Sequence, residues 1–216
     1  MTRSRDLLLL GHRGARASRG VPENTLSSFE LCIEHGCDGF EFDVRRSADG
    51  VAVICHDPIT RGLRIDKTNV QQLALATLEE VLRHFSAKAF LDIELKVAGL
   101  AESLIRMLRE HPPSRGYVVS SFLPEALTEL HRLDPNIPLG FLYDRHSQLP
   151  PPAMPIAWMI PQVKLVDEKL IDEAHAAGQK VMVWTANRSA DMRLLAGWGV
   201  DGIISDETEL LVREFH

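Results

Sequence analysis

Short apolar runs alternate with helical patterns along the whole chain, and this alternation constrains the fold more than any other feature. The runs fall near residues 7–11, 39–43, 89–95, 117–120, 138–142, 157–160, 180–185 and 202–205. Near-continuous apolar strands are what a parallel sheet covered on both faces requires. The segments between them carry helix signals. Leu26, Phe29 and Ile33 recur at helical spacing, and Gly36 is placed to close that helix. Thr77 and Glu80 have the spacing of a capping box ahead of Val81 and Leu82. Leu100, Leu104 and Leu108 line one helical face, Asp167 is placed to cap a helix ending at Gly178, and a short last helix is expected from about Asp206. Eight strands with interleaved helices predict an α/β fold, a (β/α)8 barrel formed as one domain over residues 1–216. An open doubly wound sheet is the alternative. The stretch GCDGFEFD at residues 36–43 echoes GVDGIISD at 199–206, so two helix-to-strand junctions are expected to be built alike.

Bulk properties narrow the function classes. A formal net charge of -6 supplies no basic field for nucleic acid or anionic membrane. The run at residues 7–10 is too short for a signal-peptide core or an integral membrane segment. Cys32, Cys37 and Cys55 lack metal-ligand spacing and cannot all pair, which predicts reduced thiols in a cytoplasmic protein, with a Cys32–Cys37 disulfide as the alternative. Prolines in series at 150–152 predict a loop.

The polar residues at strand ends carry the chemistry. Side chains alternate along a strand. In DGFEFDV, Glu41 and Asp43 therefore share one face, and in FLDIELK so do Asp92, Glu94 and Lys96. Asp49-Gly50 reads as a two-residue hairpin turn with Ala48 opposite Val51. Counted back in register, that turn places His56 opposite Asp43, with Asp57 beside it to orient its ring. The motif GHRG follows the first strand, so His12 and Arg13 are expected near Glu41 and Asp43, with Gly11 and Gly14 allowing close backbone approach to a ligand. Three carboxylates without cysteine suit a hard divalent cation, Mg2+ or Ca2+. Arg13 and Lys96 suit a phosphate oxygen, and two histidines suit general acid–base work. Together these predict metal-assisted cleavage of a phosphodiester.

Nearly the whole chain resembles the glycerophosphodiester phosphodiesterase family. The matching segments are HRG at 12–14, PENT at 22–25, EFDV at 41–44, HD at 56–57, TLEEVL at 77–82, IELK at 93–96, SF at 121–122, WTAN at 184–187 and GVDGIISD at 199–206. The resemblance implies a barrel that holds a divalent metal on Glu41, Asp43 and Glu94. It implies a catalytic pair, His12 and His56, with acid and base unassigned between them. It implies substrate contacts from Arg13, Lys96, Glu23 and Trp184. The implied reaction takes a small-molecule glycerophosphodiester to glycerol 3-phosphate and an alcohol. Many family members carry a long insertion after the HD motif, and here only 19 residues separate Asp57 from Thr77, so that subdomain is expected to be nearly absent. Other readings of the same residues are a lysophospholipase D-type phosphodiesterase and a noncatalytic barrel that binds glycerol phosphate. The three carboxylates could instead form an ion-pair network with Arg13 and Lys96. Asn24 or Thr25 reads as a cap of the first helix, Asp206 as a cap of the last, and Trp184 and Phe122 as either core or pocket wall. The oligomeric state is not legible in the sequence.

Overall fold

Each of the eight apolar runs forms a strand of one parallel sheet, and the sheet closes on itself. The structure is a computed structural model that describes residues 7–148, 150 and 154–216. The elements run β1 (Leu8–His12), α1 (Leu26–Glu34), β2 (Gly39–Arg46), β3 (Ala52–Ile54), β4 (Ile59–Thr60), β5 (Leu63–Arg64), α2 (Val70–Leu73), α3 (Leu78–Phe85), β6 (Phe90–Leu95), α4 (Ala101–Glu110), β7 (Tyr117–Ser121), α5 (Pro124–Leu133), β8 (Leu139–Tyr143), β9 (Ile156–Pro161), α6 (Glu168–Ala176), β10 (Lys180–Val183), α7 (Ser189–Trp198), β11 (Gly202–Ser205) and α8 (Thr208–Phe215). The sheet order β1-β11-β10-β9-β8-β7-β6-β2 is closed by pairing of β1 with β2. This is a (β/α)8 barrel, and the open sheet is excluded by the closing pair. Among the described residues no helix lies between β8 and β9. Pro151 and Pro152 of the proline run lie outside the described residues.

Alternation sorts the side chains into two cores. Leu10, Phe90, Val118, Leu142, Trp158, Ile160, Met182 and Ile204 fill the barrel interior. Phe29, Phe40, Phe42 and Phe85 pack between the sheet and the helices outside it, with the Phe29 and Phe40 rings stacked at 4.2 Å. Gly39 sits where the barrel wall is tightest, since a Cβ there would lie 1.8 Å from the Phe90 carbonyl oxygen.

Local signals act as their chemistry dictates. Thr77 and Glu80 form the capping box of α3, and the Asp167 side chain accepts from the Leu170 N–H at the start of α6. The echoed junctions are built alike. Gly36 and Gly199 both take positive φ after their helices. Asp38 accepts the Leu9 N–H of the neighbouring strand, and Asp201 accepts the Val181 N–H of its own neighbour. All three cysteines are free thiols, so the Cys32–Cys37 disulfide is not formed. Among the described residues no helix is long and apolar enough to cross a membrane.

The hairpin after β2 departs from expectation. Its closing residues are Ser47 and Val51, joined by the Ser47 N–H to the Val51 carbonyl at 3.0 Å. The loop is therefore three residues long, with Gly50 at φ +84° in the left-handed position of a G1-type bulge. The ladder runs Val44 to Ile54, Arg45 to Val53 and Arg46 to Ala52, one residue out from the register that a two-residue turn gives. Cys55, not His56, falls opposite Asp43, and its N–H donates to the Asp43 carbonyl at 2.9 Å.

Candidate active site

The strands' carboxyl ends hold the polar cluster, as the geometry of such barrels requires. Register places His12 of β1 beside Glu41 of β2, and Asp43 of β2 beside Glu94 of β6. Ligand oxygens of Glu41, Asp43 and Glu94 all lie within 4.8 Å of one another. The three residues are only 3 %, 0 % and 7 % exposed, so water does not screen their mutual repulsion.

His12, Arg13, Glu41, His56, Glu94, Lys96, Phe122, Leu142, Trp184 and Ile204 line one cavity of about 140 Å³. His56 reaches it although the hairpin register is shifted, because β3 ends at Ile54 and the chain bends there, where strand alternation no longer applies. Arg45 holds the bend by donating from Nε to the His56 carbonyl at 2.8 Å. The His56 ring pairs with Asp57 through Nδ1 at 2.8 Å.

Charges within the cluster are partly matched. Lys96 Nζ lies 2.6 Å from Glu94 and 3.4 Å from Asp43, and Arg13 Nε lies 3.3 Å from Asp43. Glu41 accepts the Arg13 backbone N–H at 3.0 Å, and its Oε2 lies 3.9 Å from His12 Nε2. The ion-pair network anticipated as a purely structural reading thus exists, but it is incomplete. Three carboxylates face two cations, and the buried Glu41 Oε1 has no hydrogen-bond partner. Burial, then the charges of Asp43 and Glu94, push Glu41 well above the usual carboxylate range. Burial and Asp43 push Glu94 up to about 8 against the pull of Lys96. For Asp43 burial is outweighed by Lys96, Arg13 and Asn24, and its pKa falls below the ordinary value. Three clustered carboxylates without a thiolate, one of them with an unpartnered buried oxygen, form a donor set that fits a hard divalent ion.

Several partners were not legible as such in the sequence. Asp206 does not cap the last helix, whose N-cap residue is Glu207. It instead accepts from His12 Nδ1 at 2.7 Å, from Arg16 at 3.0 Å and from Asn187 at 2.6 Å. Burial is outweighed by these bonds, which hold its carboxyl well below the usual range. Asn24 is not a cap either, since Thr25 takes that place. Its side chain grips Asp43 twice, donating to the carboxylate at 2.8 Å and accepting the backbone N–H at 3.2 Å. Glu23 bridges Arg13 at 2.8 Å and Arg16 at 2.6 Å. Gly11 and Gly14 are also required by packing. A Cβ on Gly11 would meet Cys32 Sγ at 2.5 Å, and one on Gly14 would meet Ser28 Oγ at 2.4 Å. Trp184 does line the cavity, edge-on to Phe122 with ring centroids 5.5 Å apart, and its Nε1–H donates to the Ile160 carbonyl.

Residues 12–104 and 65–210 match the model of the glycerophosphoryl diester phosphodiesterase family. A glycerophosphodiester phosphodiesterase from Caldanaerobacter subterraneus subsp. tengcongensis is 30 % identical over 95 % of this chain and 96 % of its own. A crystal structure of a glycerophosphodiester phosphodiesterase from Thermotoga maritima superposes with a TM-score of 0.85 at 26 % identity, covering 97 % of this chain and 99 % of that one. An Oleispira antarctica phosphodiesterase, solved with the product sn-glycerol-3-phosphate, superposes with a TM-score of 0.83 at 27 % identity over 96 % of each chain.

Proposed function

The chain belongs to the glycerophosphoryl diester phosphodiesterase family, whose members are phosphoric diester hydrolases, and from that membership we propose that it hydrolyses glycerophosphodiesters to glycerol 3-phosphate and an alcohol. The observation that supports this reading above others is the cluster of three buried carboxylates beside one small cavity that two imidazoles and two fixed cations line.

Glu41, Asp43 and Glu94 would hold a divalent cation, Mg2+ or Ca2+. When bound, such an ion neutralises phosphoryl oxygens and makes an attacking hydroxyl more acidic. The chain's own residues do the rest. Arg13 and Lys96, held in place by Asp43, Glu94 and Glu23, present cationic donors to the non-bridging oxygens. His12 and His56 divide the proton transfers. Asp206 behind His12 Nδ1 fixes the tautomer that leaves Nε2 bare towards the cavity and stabilises the imidazolium once formed, so His12 is the general base. It takes the proton of the attacking oxygen as the new P–O bond forms. His56, its ring held through Nδ1 by Asp57, is placed to deliver a proton to the leaving alcohol oxygen as the old P–O bond breaks. The Trp184 and Phe122 rings form an apolar wall for the glycerol carbons. The three free thiols favour a reducing, cytoplasmic setting.

The test is release of glycerol 3-phosphate from glycerophosphodiesters by the purified protein, with and without EDTA. Release that stops with EDTA and returns with Mg2+ or Ca2+ is expected. No release, or release indifferent to chelation, would overturn the proposal.

A further inference from the structure

Asn24 holds a left-handed backbone, at φ +57°, and is 6 % exposed. Gly, Asn and Asp are the residues that enter this region at least cost. Contacts on either side pin it there. Its backbone N–H donates to the Arg13 carbonyl at 3.0 Å, and the Ser28 hydroxyl donates to the same carbonyl at 3.1 Å. Thr25, next in the chain, caps α1 by accepting the Ser28 N–H at 3.2 Å. The turn so fixed carries the Asn24 amide inward, against β2. As a result the two oxygens of Asp43 have different surroundings. Oδ2 accepts from the Asn24 amide at 2.8 Å and lies 3.3 Å from Arg13 Nε, whereas Oδ1 faces Lys96 Nζ at 3.4 Å. The Asn24 side-chain carbonyl also accepts the Asp43 backbone N–H at 3.2 Å, so one side chain grips both the main chain and the carboxylate of Asp43.

We propose that Asn24 is a positioning residue for the cation: it engages Asp43 Oδ2, leaves Oδ1 to the ion, and so makes Asp43 a one-oxygen ligand. The inference rests on the reading that Glu41, Asp43 and Glu94 hold a divalent cation. A carboxylate with both oxygens free can rotate or bind through both. A hydrogen bond to one oxygen removes that freedom before the ion arrives. The donor is also neutral. Another cation at this place would orient Asp43 as well, but would cancel the charge that attracts the ion. The amide orients without neutralising. Partners of this kind are worth about 10–100-fold in metal affinity. Asn24 is not among the residues lining the cavity of the two histidines, so its effect on the reaction passes through Asp43.

Asn24→Gly tests this, because glycine keeps the left-handed backbone and its N–H to Arg13 while the amide is lost. Mn2+ binding to the metal-free, full-length protein, followed by EPR well below Tm, should weaken about 10–100-fold in this variant. A residue that only shapes the loop would lower Tm and leave the Mn2+ Kd unchanged, and that result overturns the proposal. A second measurement needs no variant. In wild-type crystals soaked in Mn2+, the ion should sit on Asp43 Oδ1, with Oδ2 still bonded to Asn24. An ion on Oδ2, or on both oxygens, overturns the proposal while the cation site stands. A wild type that takes up no Mn2+ overturns both.

Discussion

His12 Nδ1 lies 2.7 Å from a carboxylate oxygen of Asp206, although 194 positions separate the two residues in the chain. Closure of the barrel makes this possible. Strands β1 and β11 are neighbours, so the residue that ends one and the residue just past the other share the same rim. A half-buried carboxylate behind an imidazole sets its tautomer and steadies its charged form. Asp206→Asn keeps the shape and removes the charge. Turnover should fall by roughly one to three orders of magnitude, with the acid limb of the pH–rate profile displaced. A variant with unchanged turnover and profile would show that Asp206 only braces the fold.

The two imidazoles face one cavity from separate elements. His12→Ala and His56→Ala should each lower turnover by about two to four orders of magnitude with thermal stability retained. A diester with a good leaving group, such as a nitrophenol, needs no acid. On that substrate His56→Ala should recover most of its loss and His12→Ala should not. Equal recovery in both would contradict the assignment of acid and base.

Metal binding and pH are linked through the carboxylates. In the unfolded chain Asp92 and Glu94 ionise near their ordinary values of 3.8 and 4.5, but in the fold near about 7 and about 8. Across that interval these two groups hold more protons in the folded state than in the unfolded one, so they make the metal-free protein less stable as pH rises. A cation needs the ionised carboxylates, so it binds better as pH rises. The rise in Tm on adding Mg2+ or Ca2+ should therefore be small near about pH 5.5 and grow toward about pH 8. Thermal melts across that range check the sign, and a shift largest at acid pH would contradict it.

Outside the site, the Phe29, Phe40, Phe42 and Phe85 cluster joins β2 to α1 and α3. Phe40 is fully buried and directly precedes Glu41, on the opposite face of β2. Phe40→Ala should cost about 3–5 kcal/mol of stability, read by denaturant unfolding. A loss under about 1 kcal/mol would mean that the cluster relaxes around the gap.

The fold was legible because every barrel strand announces itself locally. An apolar run such as Leu8–Leu10 or Ile203–Ile204 needs burial on both faces, and the capping signals of Thr77 and Asp167 mark helix starts within a few residues. The placement of Glu41, Asp43 and Glu94 on the inner face followed from alternation alone. What stayed hidden depends on geometry that one segment does not carry. Asp49-Gly50 has the composition of a two-residue turn, and only the Ser47–Val51 closure reveals a three-residue loop. Asp206 and Asn24 have the composition of helix caps, and their partners His12 and Asp43 come from other strands. The repeated motif GVDGIISD ending on Asp206 was the available signal for the first, and PENT the signal for the second. The packing role of Gly11 and Gly14 was hidden too, since a side chain at Gly11 would strike Cys32 and the Gly14 carbonyl, and one at Gly14 would strike Ser28.

The central claim, one cation on three acidic side chains from two neighbouring strands, is tested most directly by diffraction. Crystals soaked in Mn2+ and measured at its absorption edge would show where the ion sits. A single strong anomalous peak bounded by Glu41, Asp43 and Glu94, absent in Glu94→Gln, is expected. A peak elsewhere, or none in crystals of a protein whose activity requires the metal, would contradict it.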